Sequence, residues 1–409
     1  MQQKVTTLPA AGAPTAQSCP PATCHATRED LLARAEALVP VLASRSEEAE
    51  RLRRCPDATV RDYIDNGLLK ICQPKKFGGW ELGYDVLCEV IQTLARGCGS
   101  QAWVHMVLGD NPLKLSAWSL EAQHDVWGTD TDTKLCVAVA AVGKAREEDG
   151  GIRWTGSHGF SSGIDHADWV ICGGNIIRDG KPPEGCFVVM PTSQVRIVDD
   201  WHVMGLVGSG SKSFEVADVF VPWHRVVKKK DYDEGTAPGT LYYTSPVSKL
   251  PRGGVSAVSY TAVAVGVAEG FLDNYVTSTA TRTSRGHDVM GQPGIQTGIG
   301  VSSAEIEAAS RMYMGSIREC METIARGETY STKKNLEGKR NACWAAQMAM
   351  QGVSRLFNAA GGRALYDTSV LQRQFRDCYA ASAHHSLVWD AAAQGYGAFA
   401  LEQARNGKA

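Results

Sequence analysis

The sequence predicts an α+β chain that is mostly α, ordered helix, sheet, helix, and three changes of hydrophobic period predict it. From about Arg28 to Trp127 apolar residues recur at three and four, as in Leu31, Leu32, Ala35, Leu38 and Val39. Between about Leu135 and Val227 the period falls to two. Val137, Val139 and Ala141 alternate, and Trp169–Cys172 and Cys186–Met190 are compact apolar runs closed by Gly and Pro. From about Pro251 onward, long Ala-rich segments with few breakers return: Tyr260–Thr279, Ser302–Ala325, Lys334–Ala360 and Ser369–Gln403. These boundaries imply a flexible lead over residues 1–27, an N-terminal helical domain over 28–130, a small central β-domain over 131–240 and a C-terminal four-helix bundle over 241–409.

Taken in order, Asp30 sits where a carboxylate favours the positive start of the first helix. Gly67-Leu-Leu and Pro74–Trp80 break the helical run and mark a loop, after which Tyr84–Ala95 resumes it. The stretch Gly151–Arg225 carries most information, because short β-rich runs alternate there with Gly/Ser turns. Such turns offer hydroxyls and backbone N–H groups to a polar ligand.

Bulk properties exclude several classes of function. A chain of 409 residues exceeds one simple core, and 44% hydrophobic with 21% charged residues is ordinary for a soluble globular protein. A formal net charge of −2 gives no field for nucleic acid, and Lys228-Lys229-Lys230 reads as a solvated loop. No run approaches the roughly 18 apolar residues of a membrane span. The N-terminus lacks the charged start and apolar block of a secretory signal. Twelve cysteines scattered through helical segments read as free thiols in a reducing compartment, the cytoplasm. Cys19 and Cys24 have no second pair at zinc spacing, so no metal is expected.

Several short motifs carry chemistry. Phe160-Ser161-Ser162-Gly163 places two hydroxyls in a turn between strands. Gly208-Ser209-Gly210-Ser211-Lys212-Ser213 has small residues that let a backbone approach a cofactor, though it lacks the first Gly of a Walker loop. Gly361-Gly362 forms a turn without Cβ atoms, and Arg282 and Arg285 offer guanidinium forks suited to phosphate. His384-His385 pairs two imidazoles near the end of the chain, following Arg376-Asp377. His158 and His166, flanking the Ser-Ser-Gly turn, read as structural. No Gly-x-Gly-x-x-Gly fingerprint of a dinucleotide site follows a strand.

Together these motifs resemble the acyl-CoA dehydrogenase fold. Within it they resemble the oxygenase components of two-component flavin monooxygenases, such as the large component of p-hydroxyphenylacetate hydroxylase and the dibenzothiophene monooxygenases. The resemblance runs from about residue 28 to the end, with Pro74–Trp80 similar to the family's early Gly-Gly turn. It implies that Ser162 faces flavin N5, and that Ser161, Gly163, Ser209, Ser211, Gly361, Gly362, Arg282 and Arg285 line the cofactor. Common acyl-CoA dehydrogenases place a catalytic glutamate where this chain has His385, and without that base proton abstraction next to a thioester loses its first step. The oxygenase branch has a histidine at the position of His384, near flavin and substrate. His384, Ser162, His385 and Asn111 are therefore the expected catalytic residues.

One segment departs from the pattern. Phenol hydroxylases of this branch carry a histidine in the helix after Ala-Trp-Val, and the slot falls here on Asn111. Either Asp110, Asn111 or His105 takes over its work, or the substrate is an indole or another heteroaromatic. Trp103, His105, Asp110, Asn111 and His384 are the expected substrate contacts. The implied enzyme is a flavin-dependent monooxygenase that receives reduced FAD or FMN by diffusion from a separate NAD(P)H:flavin reductase. With O2 it forms a C4a-hydroperoxyflavin that oxygenates a small aromatic or heteroaromatic molecule. A homotetramer is expected by the same resemblance. The alternative is a flavin-dependent dehydrogenase or oxidase on a non-CoA substrate, with His384 or His385 as base.

Overall fold

The structure is a computed structural model that describes residues 26–251, 257–284 and 286–407. The first helix, α1 (Arg28–Ser44), starts on a reciprocal cap: the Thr27 hydroxyl accepts from the Asp30 N–H, and the Asp30 carboxylate accepts from the Thr27 N–H. Asp30 thus closes a specific cap rather than merely favouring the dipole. There follow α2 (Ser46–Leu52), α3 (Asp57–Asp65), α4 (Tyr84–Gly97), α5 (Gly99–Leu115) and α6 (Leu120–Trp127). The loop expected between α3 and α4 consists of two single 3-10 turns, Leu68–Lys70 and Lys75–Phe77.

The sheet contains β1 (Leu135–Glu148), β2 (Gly151–Ser161), β3 (Trp169–Ile176), β4 (Glu184–Pro191), β5 (Arg196–Val198), β6 (Lys212–Pro222) and β7 (Val226–Lys228). Its strand order is β5-β6-β2-β1-β3-β4-β7, with β1 and β3 parallel and the other neighbours antiparallel. His158 lies inside the sheet domain's own core, stacked between Trp154 and Phe214 at 6.2 and 4.9 Å. His166 is held by the Cys55 carbonyl at 2.8 Å. Both fill packing positions, as their surroundings in the sequence imply.

After α7 (Lys229–Glu234) and α8 (Pro238–Tyr242), α9 (Val258–Ala280) begins the C-terminal bundle. A two-strand hairpin, β8 (Thr283–Ser284) and β9 (His287–Asp288), leads to α10 (Pro293–Ala325), α11 (Thr332–Ala359), α12 (Val370–Ser382) and α13 (Trp389–Arg405). Helix α10 starts nine residues before the expected Ser302, because Pro293 at its first position offsets the glycines of the first turns. The segment expected as one helix over Ser369–Gln403 is two, α12 and α13, separated by a 3-10 turn at His385–Leu387. The His384 imidazole causes that break, its Nδ1 accepting from the Ser386 N–H at 3.2 Å.

One hydrophobic core runs from Leu31 in α1 to Ala392 in α13, so the N-terminal helices and the bundle bury their apolar faces against each other. Helix α9 fits tightly into this core. A Cβ on Gly266 would run into the Gln92 carbonyl of α4, and one on Gly270 into that of Arg96. No described helix is long and apolar enough to cross a membrane.

Candidate active site

The site grows from one face of α5. At about 100° per residue, Asp110 and Lys114 lie within about 20° of Trp103 around the helix axis. Asn111 is about 80° round, and His105 lies on the opposite side. The Trp103 indole N–H donates to the Ser162 hydroxyl at 2.9 Å. Ser162 is 2.6 Å from the Ser211 hydroxyl, which is 2.7 Å from that of Ser209, and the Gly163 N–H donates to the Ser209 carbonyl at 3.1 Å. Two sequence-distant Gly/Ser turns are thereby joined to α5 through a buried chain of hydroxyls. Gly163, at φ 72°, reverses the chain so that this can happen.

Across this face stands His384, at the end of α12. Its ring stacks on Tyr260, with centroids 3.9 Å apart and planes at 19°, and meets Trp103 edge-on at 5.6 Å. Burial, with His385 and Lys339 nearby, pulls the His384 pKa down to about 3, so the ring is neutral at physiological pH. Since Nδ1 accepts from Ser386, the proton of the neutral ring resides on Nε2, which is left as a donor. The carboxylates beside it in sequence are occupied or solvated: Asp377 faces the Leu206 N–H, and Asp390 is exposed.

The loop after β5 closes the site and is clamped to α12. The buried Asp377 carboxylate accepts from the Leu206 N–H at 2.7 Å. Arg376 donates to the Met204 carbonyl, and both Arg373 and Arg376 pair with Glu50 of α2. Leu206 adopts φ 54°, a left-handed conformation that a branched residue takes only when its surroundings impose it. Lys212, of the Lys-Ser pair in the Gly/Ser motif, is bound to Asp165 at 2.9 Å.

The structure separates the expected site residues into two groups. Trp103, Ser162, Gly163, Ser209, Ser211 and His384 come together, with Asp110 farther along the same face of α5. The others lie elsewhere. Asn111 donates to the Leu135 carbonyl at 2.8 Å and is turned to the sheet. His105 sits in the helical core, 3.1 Å from the Leu68 carbonyl and edge-on to Tyr63, with its pKa lowered to about 4 by burial. Ser161, the last residue of β2, contacts the Cys136 thiol inside the sheet, whereas Ser162 already belongs to the turn that follows. His385 is exposed beside His384. Arg282 donates to the Ala359 and Ala360 carbonyls at the end of α11, next to Gly361. Gly361 and Gly362 are exposed, and a Cβ on Gly362 would meet open space. Arg285, Cys19 and Cys24 lie outside the described residues.

Sequence reasoning missed three members. Tyr260 was hidden as an ordinary residue of the α9 stripe. Lys114 carried a signal, since it stands four residues after Asp110, but that spacing is common on solvated helices. Asp377 served only as a landmark for counting.

These residues fit a flavin. Phe160, 80% exposed and held at φ 59°, meets the ring of Trp201 edge-on at 6.1 Å. An exposed Phe160 against the half-buried Trp201, beside buried hydroxyls, matches a planar ring system with a polar edge.

Comparison with known proteins agrees. Residues 27–127 match the family "Acyl-CoA dehydrogenase, N-terminal domain", and residues 258–389 match "Acyl-CoA dehydrogenase, C-terminal domain". The chain belongs to the acyl-CoA dehydrogenase fold family, in the branch formed by the oxygenase components of two-component flavin-dependent monooxygenases. It is 34% identical to the flavin-dependent monooxygenase oxygenase subunit HsaA of Rhodococcus jostii (strain RHA1), over 86% of this chain and 93% of that protein. It is 31% identical to the p-hydroxyphenylacetate 3-hydroxylase oxygenase component of Acinetobacter baumannii, over 89% and 87% of the two chains. Among solved structures, XiaF from Streptomyces sp. in complex with FADH2 and glycerol superposes with a TM-score of 0.85 at 26% identity, covering 90% of this chain and 94% of XiaF.

Proposed function

We propose that the protein takes reduced FAD or FMN, delivered by a separate NAD(P)H:flavin reductase, and with O2 oxygenates a small aromatic or heteroaromatic substrate of phenolic or indole-like type. The observation that carries this reading is the neutral His384 imidazole, clasped by Tyr260 and Trp103, with His385 rather than a carboxylate base beside it. The names of the relatives, an oxygenase subunit and an oxygenase component, support a partner reductase, and hydroxyphenylacetate in one of them supports an aromatic substrate.

When bound, the reduced flavin supplies the activation of dioxygen. The chain's own residues do the rest. Ser162, buried and fixed by Trp103 and Ser211, would hold the polar edge of the cofactor away from water. Phe160 and Trp201 would cover its ring, and Gly163, Ser209 and Ser211 would line it. The exposed Gly361-Gly362 turn, with Arg282 beside it, lies apart from this group, and a homotetramer would bring it to the cofactor of a neighbouring subunit. His384 directs its Nε2–H at substrate or oxygen, and Tyr260 and Trp103 form the aromatic walls that keep water out.

The test supplies the protein with FAD or FMN, a generic flavin reductase, isotopically labelled O2 and a panel of phenols, indoles and thiophenes. Mass spectrometry should find one labelled oxygen atom in a ring product. Flavin reduced by a substrate, with no label incorporated, would instead establish the dehydrogenase or oxidase.

A further inference from the structure

The pair Asp110–Lys114 lies on the same side of α5 as Trp103, the side that meets Tyr260. Both side chains lie in a largely apolar wall, with 13% and 20% of their surface exposed, and they form an ion pair one helical turn apart. That residual exposure means the pair is not sealed inside protein. Burial pulls the Lys114 pKa down, but the Asp110 carboxylate, then Tyr260 and Tyr232, outweigh it and raise it, so the ammonium stays charged. Tyr260, stacked on His384, lies within the field of both charges. The pair and the imidazole therefore share a neighbour, and Trp103 occupies the same α5 face.

We propose that Asp110 and Lys114 are the specificity-determining pair for the hydroxyl of a phenolic substrate. Lys114 donates to the phenol oxygen, and Asp110 accepts from its O–H. This rests on the proposed function and narrows its substrate class.

The reason is charge balance. The pair offers one strong donor and one strong acceptor with no net charge. A neutral hydroxyl is donor and acceptor at once and satisfies both. An aryl carboxylate would have to approach Asp110, and an arylammonium Lys114. Each would set like charges close together in a poorly solvated site. An aryl ether can accept from Lys114 but gives Asp110 nothing. A site that hydrogen-bonds a hydroxyl rejects the analogue lacking it strongly, because its polar groups are left unpaired. Asn111, at the slot where a histidine was expected, donates its amide N–H to the Leu135 carbonyl and lies about 80° round α5 from Trp103, which leaves this work to its neighbours on the Trp103 face.

The experiment measures binding, by anaerobic calorimetry, of 4-ethylphenol, 4-ethylanisole and 4-ethylbenzoate to the protein saturated with reduced FAD. Wild type should prefer the phenol to the ether by about tenfold or more, a difference of roughly 1.4 kcal/mol. Removing one charge alone risks misfolding, so the main variant is the double substitution Asp110→Asn/Lys114→Met, which removes both. It should bind phenol and ether within about twofold of each other, with the ether's affinity kept. Asp110→Asn alone should gain affinity for 4-ethylbenzoate by about tenfold, since Lys114 is then unopposed. A double variant that keeps the wild-type preference overturns the proposal, as does a wild type that binds both ring compounds equally. A wild type that binds none of the three also overturns the proposal, while a labelled product from an indole or a thiophene would keep the proposed function standing.

Discussion

The Tyr260 phenol ring lies face to face with the His384 imidazole, 3.9 Å between centroids and 19° from parallel. One ring comes from the first turn of α9 and the other from the end of α12, so the contact joins two bundle helices across the site. It also explains how a histidine in a helix break keeps a fixed orientation. Its Nδ1 is capped by the Ser386 N–H and its face is covered, leaving one edge for chemistry.

His384→Ala should lower product formation by roughly 100-fold, the scale for losing one well-placed donor. His384→Asn, which keeps an N–H, should recover part of it. Because the folded pKa is pulled to about 3, the pH–rate profile of the wild type should show no imidazole step near the ordinary value of 6.5. A step there that disappears in His384→Asn would contradict the neutral ring.

Ser161 and Ser162 are neighbours in sequence and opposites in structure. Ser162→Ala removes the acceptor of a buried Trp103 N–H and a partner of Ser211, costing about 1–3 kcal/mol of stability. It should also divert reducing equivalents to hydrogen peroxide, measured as product formed per O2 consumed. Ser161→Ala touches only the Cys136 thiol and should leave that ratio unchanged. Equal loss in both variants would place the functional hydroxyl elsewhere.

The fold was largely legible because period alone separates helix from strand. Helices α4 and α9 and strand β1 all appear where the pattern changes, although β1 buries Cys136 and Ala138 and leaves Val139 exposed, and α9 is buried nearly all round rather than along one stripe. What stayed hidden depends on contacts that pattern does not encode. The break between α12 and α13 is made by a side-chain cap at His384 within an Ala-rich run that would otherwise continue. The early start of α10 was masked by Gly294, Gly298 and Gly300, whose low propensity outweighed the signal of Pro293. At the site, motifs located Ser162 and His384, but Tyr260 and Lys114 acquire meaning only from which helix face meets which neighbour.

His158 offers a test of pH dependence away from the site. Burial between Trp154 and Phe214 lowers its pKa to about 4 from 6.5. Between those values the unfolded chain binds the proton and the folded chain does not, so this contribution to stability is full above 6.5 and is lost as pH falls toward 4. Asp377 and Glu269 act in the opposite sense, since burial raises them to about 6 and about 7 and the folded state holds their protons longer. His158→Phe keeps a stacked ring and removes the titration. Its melting temperature should exceed that of wild type by a margin that widens as pH drops below 6.5. A margin independent of pH would mean that packing, not protonation, sets the difference.

Asp377 gives the last prediction, because one carboxylate oxygen fixes the loop that closes the site. Its bond to the Leu206 N–H holds a residue at φ 54° that would otherwise relax, and Gly205 beside it is pressed against the Arg376 carbonyl. Asp377→Ala leaves that N–H buried without an acceptor, at about 1–3 kcal/mol. The loop should then open, seen as faster hydrogen exchange at Leu206 and neighbouring amides, and reduced flavin should bind roughly tenfold more weakly. Asp377→Asn retains a carbonyl oxygen and should lose much less. Burial already raises the Asp377 pKa to about 6, so the fold tolerates a neutral group there, and the acceptor rather than the charge is what the loop requires. Unchanged exchange at Leu206 in Asp377→Ala would show that Arg376 and Glu50 hold the loop without it.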